Sequence, residues 1–343
     1  MPNHFEIIIV GAGPAGLRCA EILAKEKKKV LLLEKNKIIG DKICAAGLTR
    51  KSLELMDIPK SLFEYQIDSA ILRSSKHSHG TKMPGEPIVF MIDRIQFGQW
   101  QADKLKGSSV TIKTDAKVTA IKENSVEINN NEQFSFDYLV GADGTNSFVR
   151  KHLKLPAKRK LATLQYKIPN EFRNKIEIHL ISKYFHSGYA WIFPHKNYLT
   201  VGCSVDPKKY PVQKLKKGFQ QWLKDNRLDI TNAKFESFPI SFDYRGYLFG
   251  NRFLIGEAAG LASGLTGEGI YQALVSGEEV AKTILDPAYK SEAMNTIIKY
   301  NKIQLKIYKV FVATGIFRES FFNLVLRLFK SKFVSNKISN GLS

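Results

Sequence analysis

Cysteine is scarce in this chain. Its 343 residues hold three, Cys19, Cys44 and Cys203. An odd, sparse set without metal-ligand spacing excludes a disulfide framework and fits a reducing cytoplasm. The seven histidines show no metal spacing either, so no metal site is expected. No apolar run approaches the ~18–20 residues that span a bilayer. A basic n-region with an apolar h-region is also missing. The N-terminus runs straight into Phe5-Glu6-Ile7-Ile8-Ile9-Val10, so no signal peptide is expected. Internal repeats and low-complexity segments are absent. Acidic residues are in deficit, 32 against 52 basic ones, for a net charge of +20. Nucleic acid, an anionic membrane surface and phosphorylated ligands each suit such an excess.

What is present is an ordinary globular balance, 44% hydrophobic and 24% charged, with length for about two domains. From Thr296 to Ser343, nine Lys/Arg accompany one acid, Glu319, among Phe311, Phe317, Phe321, Phe322, Leu324, Leu326, Leu328 and Phe329. This mixture predicts a basic amphipathic helical tail over 291–343. It either lies on an anionic membrane surface, peripheral on the inner face, or packs on the body with a solvated basic face. No nucleic-acid motif accompanies it, so nucleic acid is not an expected partner.

Residues 5–10, 14–26 and 29–34 read as strand, helix and strand, a βαβ start. Helices are predicted at Arg50–Met56 and, behind an Asp93 cap, Asp93–Lys106. Val110–Ile112, Val118–Ile121 and Ser125–Ile128 read as a β-meander, and Tyr138-Leu139-Val140 as a buried strand. Residues 160–245 are strand-rich and aromatic around one helix, Val212–Asp225. Phe253-Leu254-Ile255 restores a buried strand, and Glu268–Ile284 a helix. The predicted fold is therefore α/β. A discontinuous Rossmann-type domain (1–160 and 246–290) carries an inserted antiparallel-sheet domain that covers a pocket (161–245) and the C-terminal tail.

Gly11-Ala12-Gly13-Pro14-Ala15-Gly16 follows a strand and opens a helix. Gly11 permits the turn, Gly13 lets backbone approach a pyrophosphate, and Gly16 lets helix and strand pack closely. The helix N-terminus supplies free N–H groups. Glu34, followed by Lys35, ends the second strand where a carboxylate reaches ribose hydroxyls. A merely structural glycine turn would not require strand, helix and acid together. Gly141-Ala142-Asp143-Gly144 follows another buried strand. Gly256-Glu257-Ala258-Ala259-Gly260 follows Phe253-Leu254-Ile255, and Gly264, Gly267 and Gly269 precede a helix. Two loop-to-helix anion sites suit a long dinucleotide such as FAD.

Together these motifs resemble flavoproteins of the p-hydroxybenzoate hydroxylase fold. Two narrower ones are similar to the geranylgeranyl reductase family, which includes archaeal digeranylgeranylglycerophospholipid reductases. Asp41-Lys42-Ile43-Cys44-Ala45-Ala46-Gly47 resembles its Lys-x-Cys-x-x-Gly loop. Tyr189-Ala190-Trp191-Ile192-Phe193-Pro194 resembles its Tyr-x-Trp-x-Phe-Pro motif. The likeness covers about residues 5–285. It implies FAD contacts from Gly11, Gly13, Pro14, Ala15 and Gly16 to the pyrophosphate, from Glu34 and Lys35 at the adenosine ribose, and from Val118 to adenine. It also implies contacts from Cys44, Ala45 and Gly47 to the flavin and from Arg94 near the phosphates or ribityl chain, with Asp143 a further cofactor-binding residue. Glu257, Gly267, Gly269 and Ile270 would lie around the ribityl and flavin end. The family usually has Asp where this chain has Glu257, which re-aims that carboxylate by about one bond length.

The resemblance implies reduction of C=C bonds in a polyprenyl lipid, the flavin carrying the hydride. Tyr189, Trp191 and Phe193 fall on one strand face by alternation. They line an isoprenoid channel or else form sheet core. Cys44 is either a polar, proton-donating group at the flavin or a small side chain in a tight loop. His186 and His195, flanking the aromatic motif, read as loop or surface residues. No second Gly-rich βαβ unit remains for NAD(P)H, so the donor is transiently bound NAD(P)H or a carrier such as ferredoxin. A flavin monooxygenase or halogenase shares the same FAD motifs. A non-catalytic flavin-binding membrane-surface protein is the rival from another class.

Overall fold

A computed structural model describes residues 3–82, 87–129 and 131–329. The chain forms two compact units. The first takes residues up to Lys42, Arg94–Lys160 and Ile240–Leu305; the second takes Ile43–Asp93, Leu161–Pro239 and the chain from Lys306.

The first unit is built on a mainly parallel sheet. Its first strand, Asn3–Val10, lies between Val30–Leu33 and Glu132–Gly141. Ile7–Ile9 and Val30–Leu33 are all at most 1% exposed. Strands buried on both faces read as unbroken apolar runs, as these do. Arg252–Leu254 adds a further parallel strand beside Glu132–Gly141. The registers pair Val10 with Leu33 and Gly141, and Gly141 with Leu254. The carboxyl ends therefore align, and the loops after them emerge on one edge, where open α/β sheets bind ligands. Pro14–Lys25 begins with Pro14 at its first turn behind an extended Gly13, a start for which proline's fixed φ is suited. Ile270–Leu285 packs close to it: a Cβ built on Gly277 would stand 2.3 Å from the Ala15 carbonyl oxygen.

The expected meander is shorter than the sequence suggested. Val118–Ile121, Ser125–Ile128 and Glu132–Gly141 do pair antiparallel. Val110–Lys113 instead pairs parallel with Val30–Leu33. The helix Arg94–Asp103 before it carries the chain back along the sheet, and such a crossover permits parallel pairing.

The second unit holds a sheet in which Lys160–Pro169, Tyr198–Val205, Tyr189–Pro194 and Ile176–His179 are successive antiparallel neighbours. The helix Val212–Asp225 covers one face. Leu215, Phe219, Trp222 and Leu223 pack there with Ala190, Ile192, Val201 and Cys203. Below them Trp222 donates its indole N–H to His179 Nδ1 at 3.1 Å. That leaves His179 Nε2 to donate to Glu177 at 3.2 Å, and Arg73 Nε bonds Glu177 at 3.0 Å. The His179 bond, with Arg73 behind it, pulls the Glu177 carboxyl down to about 2 against the opposing effect of burial.

The division into units departs from the expected one in two places. Ile43–Asp93 joins the second unit because Ser69–Arg73 pairs parallel with Ile176–His179. A second small sheet there pairs Val89–Ile92 with Gly47–Thr49 and Phe63–Ile67. The expected tail is also shared. The helix Glu292–Ala313 starts in the first unit, where Met294 and Ile297 are buried and Asn301 Nδ2 bonds the carbonyls of Leu261 and Ala262. The second unit takes the rest, through Gly315–Phe317 and the helix Arg318–Phe329. There Glu319 accepts from the backbone N–H groups of Ser182 and Ser75, and Phe322 is fully buried beside Phe311. The last part of the expected tail, residues 330–343, lies outside the described residues.

Candidate functional site

In the first unit, the three separated segments converge as their spacing requires. A Cβ on Gly11 would meet the Ala142 carbonyl oxygen at 2.5 Å, and one on Gly16 would meet the Gly11 carbonyl oxygen at 2.0 Å. One on Gly256 would lie 3.2 Å from the Ala15 methyl. Gly11 is also held at φ +105°, a conformation that costs glycine little. Gly13 differs: a Cβ there meets nothing within 4 Å. The fold packs against Gly11 and Gly16 but leaves Gly13 facing open space.

Glu34 follows directly. Its Oε2 accepts from Ala12 N–H and its Oε1 from Asn36 N–H, both at 2.9 Å. Each carboxylate oxygen has a further lone pair for a hydroxyl donor. Lys35 is exposed and Val118 is buried. Asp143 Oδ2 caps the next helix through Phe148 and Val149 N–H, and its Oδ1 is buried with no hydrogen-bond partner among the described residues. Burial pushes that carboxyl above its usual range. Arg94 Nε is likewise buried without a partner among the described residues.

Glu257, the departure from the family pattern, has two firm contacts. Its Oε1 accepts from Lys42 Nζ at 2.9 Å, and its Oε2 from the Thr145 hydroxyl. The longer side chain spans the Lys42 loop and the Gly144–Asn146 turn. It also lies 3.9 Å from where a Cβ on Gly269 would sit, and Gly269 caps Ile270–Leu285. A carboxylate is favourably placed at a helix N-terminus. Gly267 stands at φ +71° in the approach to that helix. Open space over Gly13, two helix N-termini, carboxylate acceptors and an unpaired guanidinium nitrogen fit a dinucleotide carrying a diphosphate.

In the second unit, the structure brings the Cys44 loop to the aromatic strand. Phe193 Cε2 lies 3.5 Å from where a Cβ on Gly47 would stand, and the ring packs with Ile67, Met91 and Ile176. Ala46 holds φ +60°, an unusual conformation for a residue with a Cβ. Its N–H donates to Cys44 Sγ at 3.3 Å and its carbonyl accepts from Ile92 N–H at 3.1 Å. Cys44 is half-buried, whereas Cys19 and Cys203 are buried.

Ala190 and Ile192 point to the helix-covered core, so Tyr189, Trp191 and Phe193 take the opposite face. The Trp191 indole lies on Gly202, where a Cβ would come within 2.2 Å of its Cζ2. Its N–H is buried without a partner among the described residues. Burial pushes the Tyr189 phenol up.

His195 is not the loop or surface residue expected. Its side chain has 0% exposure. Nδ1 stands 2.6 Å from Glu64 Oε2, Nε2 stands 3.2 Å from the Ala45 carbonyl oxygen, and the ring stacks on Tyr198 at 4.2 Å. Glu64 is 131 residues away in sequence, and no local pattern announces the pair. The one usable signal was the place of His195, directly after Pro194 of the aromatic motif.

Comparison with known proteins adds to this geometry. Residues 9–46 match the NAD(P)-binding Rossmann-like domain family. An uncharacterized protein of Methanosarcina barkeri is 31% identical over 307 residues, covering 82% of this chain and 75% of that protein. The digeranylgeranylglycerophospholipid reductase of Methanocaldococcus jannaschii is 28% identical over 307 residues, covering 82% and 78%. The crystal structure of a geranylgeranyl bacteriochlorophyll reductase-like protein from Thermoplasma acidophilum superposes with a TM-score of 0.81 at 22% identity, covering 95% of this chain and 91% of that one.

Proposed function

Because the chain belongs to the geranylgeranyl reductase family of flavoprotein oxidoreductases, we propose that it reduces C=C bonds of a polyprenyl lipid with FAD as its cofactor. The observation that carries this reading is the union of the Cys44 loop with an aromatic strand face turned away from its own helix-covered core.

Bound FAD supplies the hydride chemistry. The residues of this chain do the rest. The backbone over Gly13 and the N-terminus of Pro14–Lys25 hold the diphosphate, and Glu34 accepts ribose hydroxyls. Arg94 and Asp143 offer an unpaired donor and an unpaired acceptor. Tyr189, Trp191 and Phe193 exclude water from an isoprenoid chain, each buried CH₂ contributing roughly 0.8 kcal/mol. Cys44 Sγ accepts the Ala46 N–H and would keep its own hydrogen to donate to the substrate alkene. The reductant is transiently bound NAD(P)H or a carrier such as ferredoxin.

The lipid is met at an anionic membrane surface. No described helix is long and apolar enough to cross a membrane. The helix Glu292–Ala313 instead exposes Tyr300, Ile303, Ile307 and Val310, spaced along one face and each preceded by a lysine. Ile316 and Phe317 in the following turn are 91% and 71% exposed. Bulky apolar groups among lysines suit an anionic bilayer interface. The protein should sediment with anionic vesicles and be released by salt; equal binding to neutral vesicles contradicts the electrostatic part. The activity itself is tested by incubating the protein with a reduced donor and candidate polyprenyl lipids. Oxygen consumption with an oxygenated or halogenated product would instead mark a monooxygenase or halogenase.

A further inference from the structure

We infer that His195, held by Glu64, is a positioning residue that latches the Cys44 loop through the Ala45 carbonyl. The hydrogen-bond inventory is specific. A backbone carbonyl only accepts, and so does an ionised carboxylate. The bonds to Glu64 at 2.6 Å and Ala45 at 3.2 Å coexist with an ionised Glu64 only when both ring nitrogens carry hydrogen. Other acids lie nearby: burial first, then Glu64, Asp93 and Glu236, push up the phenol of Tyr198, the ring stacked on His195. Cys44 acts on the same phenol. The titratable groups around the pair are thus Asp93, Glu236, Tyr198 and Cys44.

The latch is needed because the loop does not hold itself. Ala46 sits in the left-handed region at φ +60°, which disfavours a side chain-bearing residue and persists only where surroundings over-determine it. The His195 bond fixes the peptide before Ala46, and the Ile92 bond fixes the carbonyl after it. Between them the Ala46 N–H is aimed at Cys44 Sγ. A catalytic consequence of this device rests on the function proposed above; its structural content does not.

The test uses the purified full-length chain, iodoacetamide as the probe and peptide mass spectrometry as the readout of Cys44 alkylation. His195→Ala should alkylate at Cys44 about fivefold faster than wild type, the equivalent of one net hydrogen bond. His195→Gln, whose amide can still donate to Ala45, should stay within about twofold of wild type. Glu64→Ala, which removes the partner of Nδ1, should accelerate in the same direction as His195→Ala, whereas Glu64→Gln, whose amide can donate to Nδ1 and leave Nε2–H on Ala45, should stay near wild type. Cys19 and Cys203, both 0% exposed, must stay unmodified and so report intact folding. If His195→Ala unfolds, Glu64→Ala decides the matter: acceleration supports the latch and a wild-type rate overturns it. The proposal is also overturned if folded His195→Ala reacts at the wild-type rate, or if His195→Gln reacts as fast as His195→Ala, which would assign the effect to ring volume. A chain that fails to reduce any lipid leaves these outcomes unaffected.

Discussion

Replacing Gly13 with alanine separates cofactor binding from folding. Gly13 has φ −79° and ψ 179°, which alanine adopts without strain, and the added methyl meets nothing within 4 Å. Gly13→Ala should therefore change the stability of the flavin-free protein by less than about 1 kcal/mol, mostly through its helix-capping position. The methyl would stand where a diphosphate approaches the backbone. Losing one charge-assisted hydrogen bond costs about 1.5–3 kcal/mol, so FAD affinity should fall roughly 10–100-fold. Gly16→Ala should behave in the opposite way. Its methyl would stand 2.0 Å from a backbone oxygen, and helix and strand must separate, costing about 1–3 kcal/mol or more. Thermal unfolding of the flavin-free proteins and fluorescence titration with FAD measure both effects. The reasoning fails if Gly13→Ala binds FAD as wild type does, or if it destabilises the protein as much as Gly16→Ala.

Glu257→Asp restores the family's usual residue but shortens the reach between Lys42 and Thr145, so it should lose about 1–2 kcal/mol of stability in urea titrations; wild-type stability would show that the extra methylene is unused. Glu177→Gln tests acid sensitivity. The folded carboxyl sits at about 2 against an ordinary 4.5, so its stabilisation is complete above 4.5 and is lost as pH falls through about 2. It amounts to about 3 kcal/mol. The variant should flatten the acid limb of the stability profile over that window, and an unchanged limb would contradict the Arg73–Glu177–His179 chain. Trp191→Ala should lower kcat/KM for a polyprenyl lipid by about tenfold or more, because removing a large ring that is 7% exposed leaves a cavity and reshapes the face it belongs to, while leaving FAD affinity unchanged. Unchanged steady-state constants would return Trp191 to a purely structural role.

The cofactor cradle was legible because its demands are local. Gly11, Glu34 and Gly141 each follow or end an apolar strand, Gly16 stands in the first turn of the helix behind Gly11, and a parallel register then brings them together without further instruction. The helix Val212–Asp225 matches its predicted limits, since its apolar positions recur at helical spacing. Val110–Lys113 shows where such reading stops. A short apolar strand carries no mark of parallel or antiparallel pairing, and its partner is chosen by the helix before it. The same holds for Ser69–Arg73, whose pairing with Ile176–His179 moves Ile43–Asp93 into the second unit. His195 was misread for an electrostatic reason: a histidine reads as exposed until its counter-charge is found, and Glu64 sits in a distant segment. Glu257 stands out in the sequence against the family's usual Asp, but its bonds to Lys42 and Thr145 needed coordinates.

The central claim is that this flavoprotein reduces isoprenoid double bonds. Its most direct test is mass spectrometry of polyprenyl lipids after incubation with the FAD-loaded protein and a reduced donor without oxygen. The account predicts products heavier by two hydrogens for each bond reduced, with none formed when the donor is omitted. Unchanged lipids across the polyprenyl series, from a protein whose bound flavin is fully reduced, would contradict it.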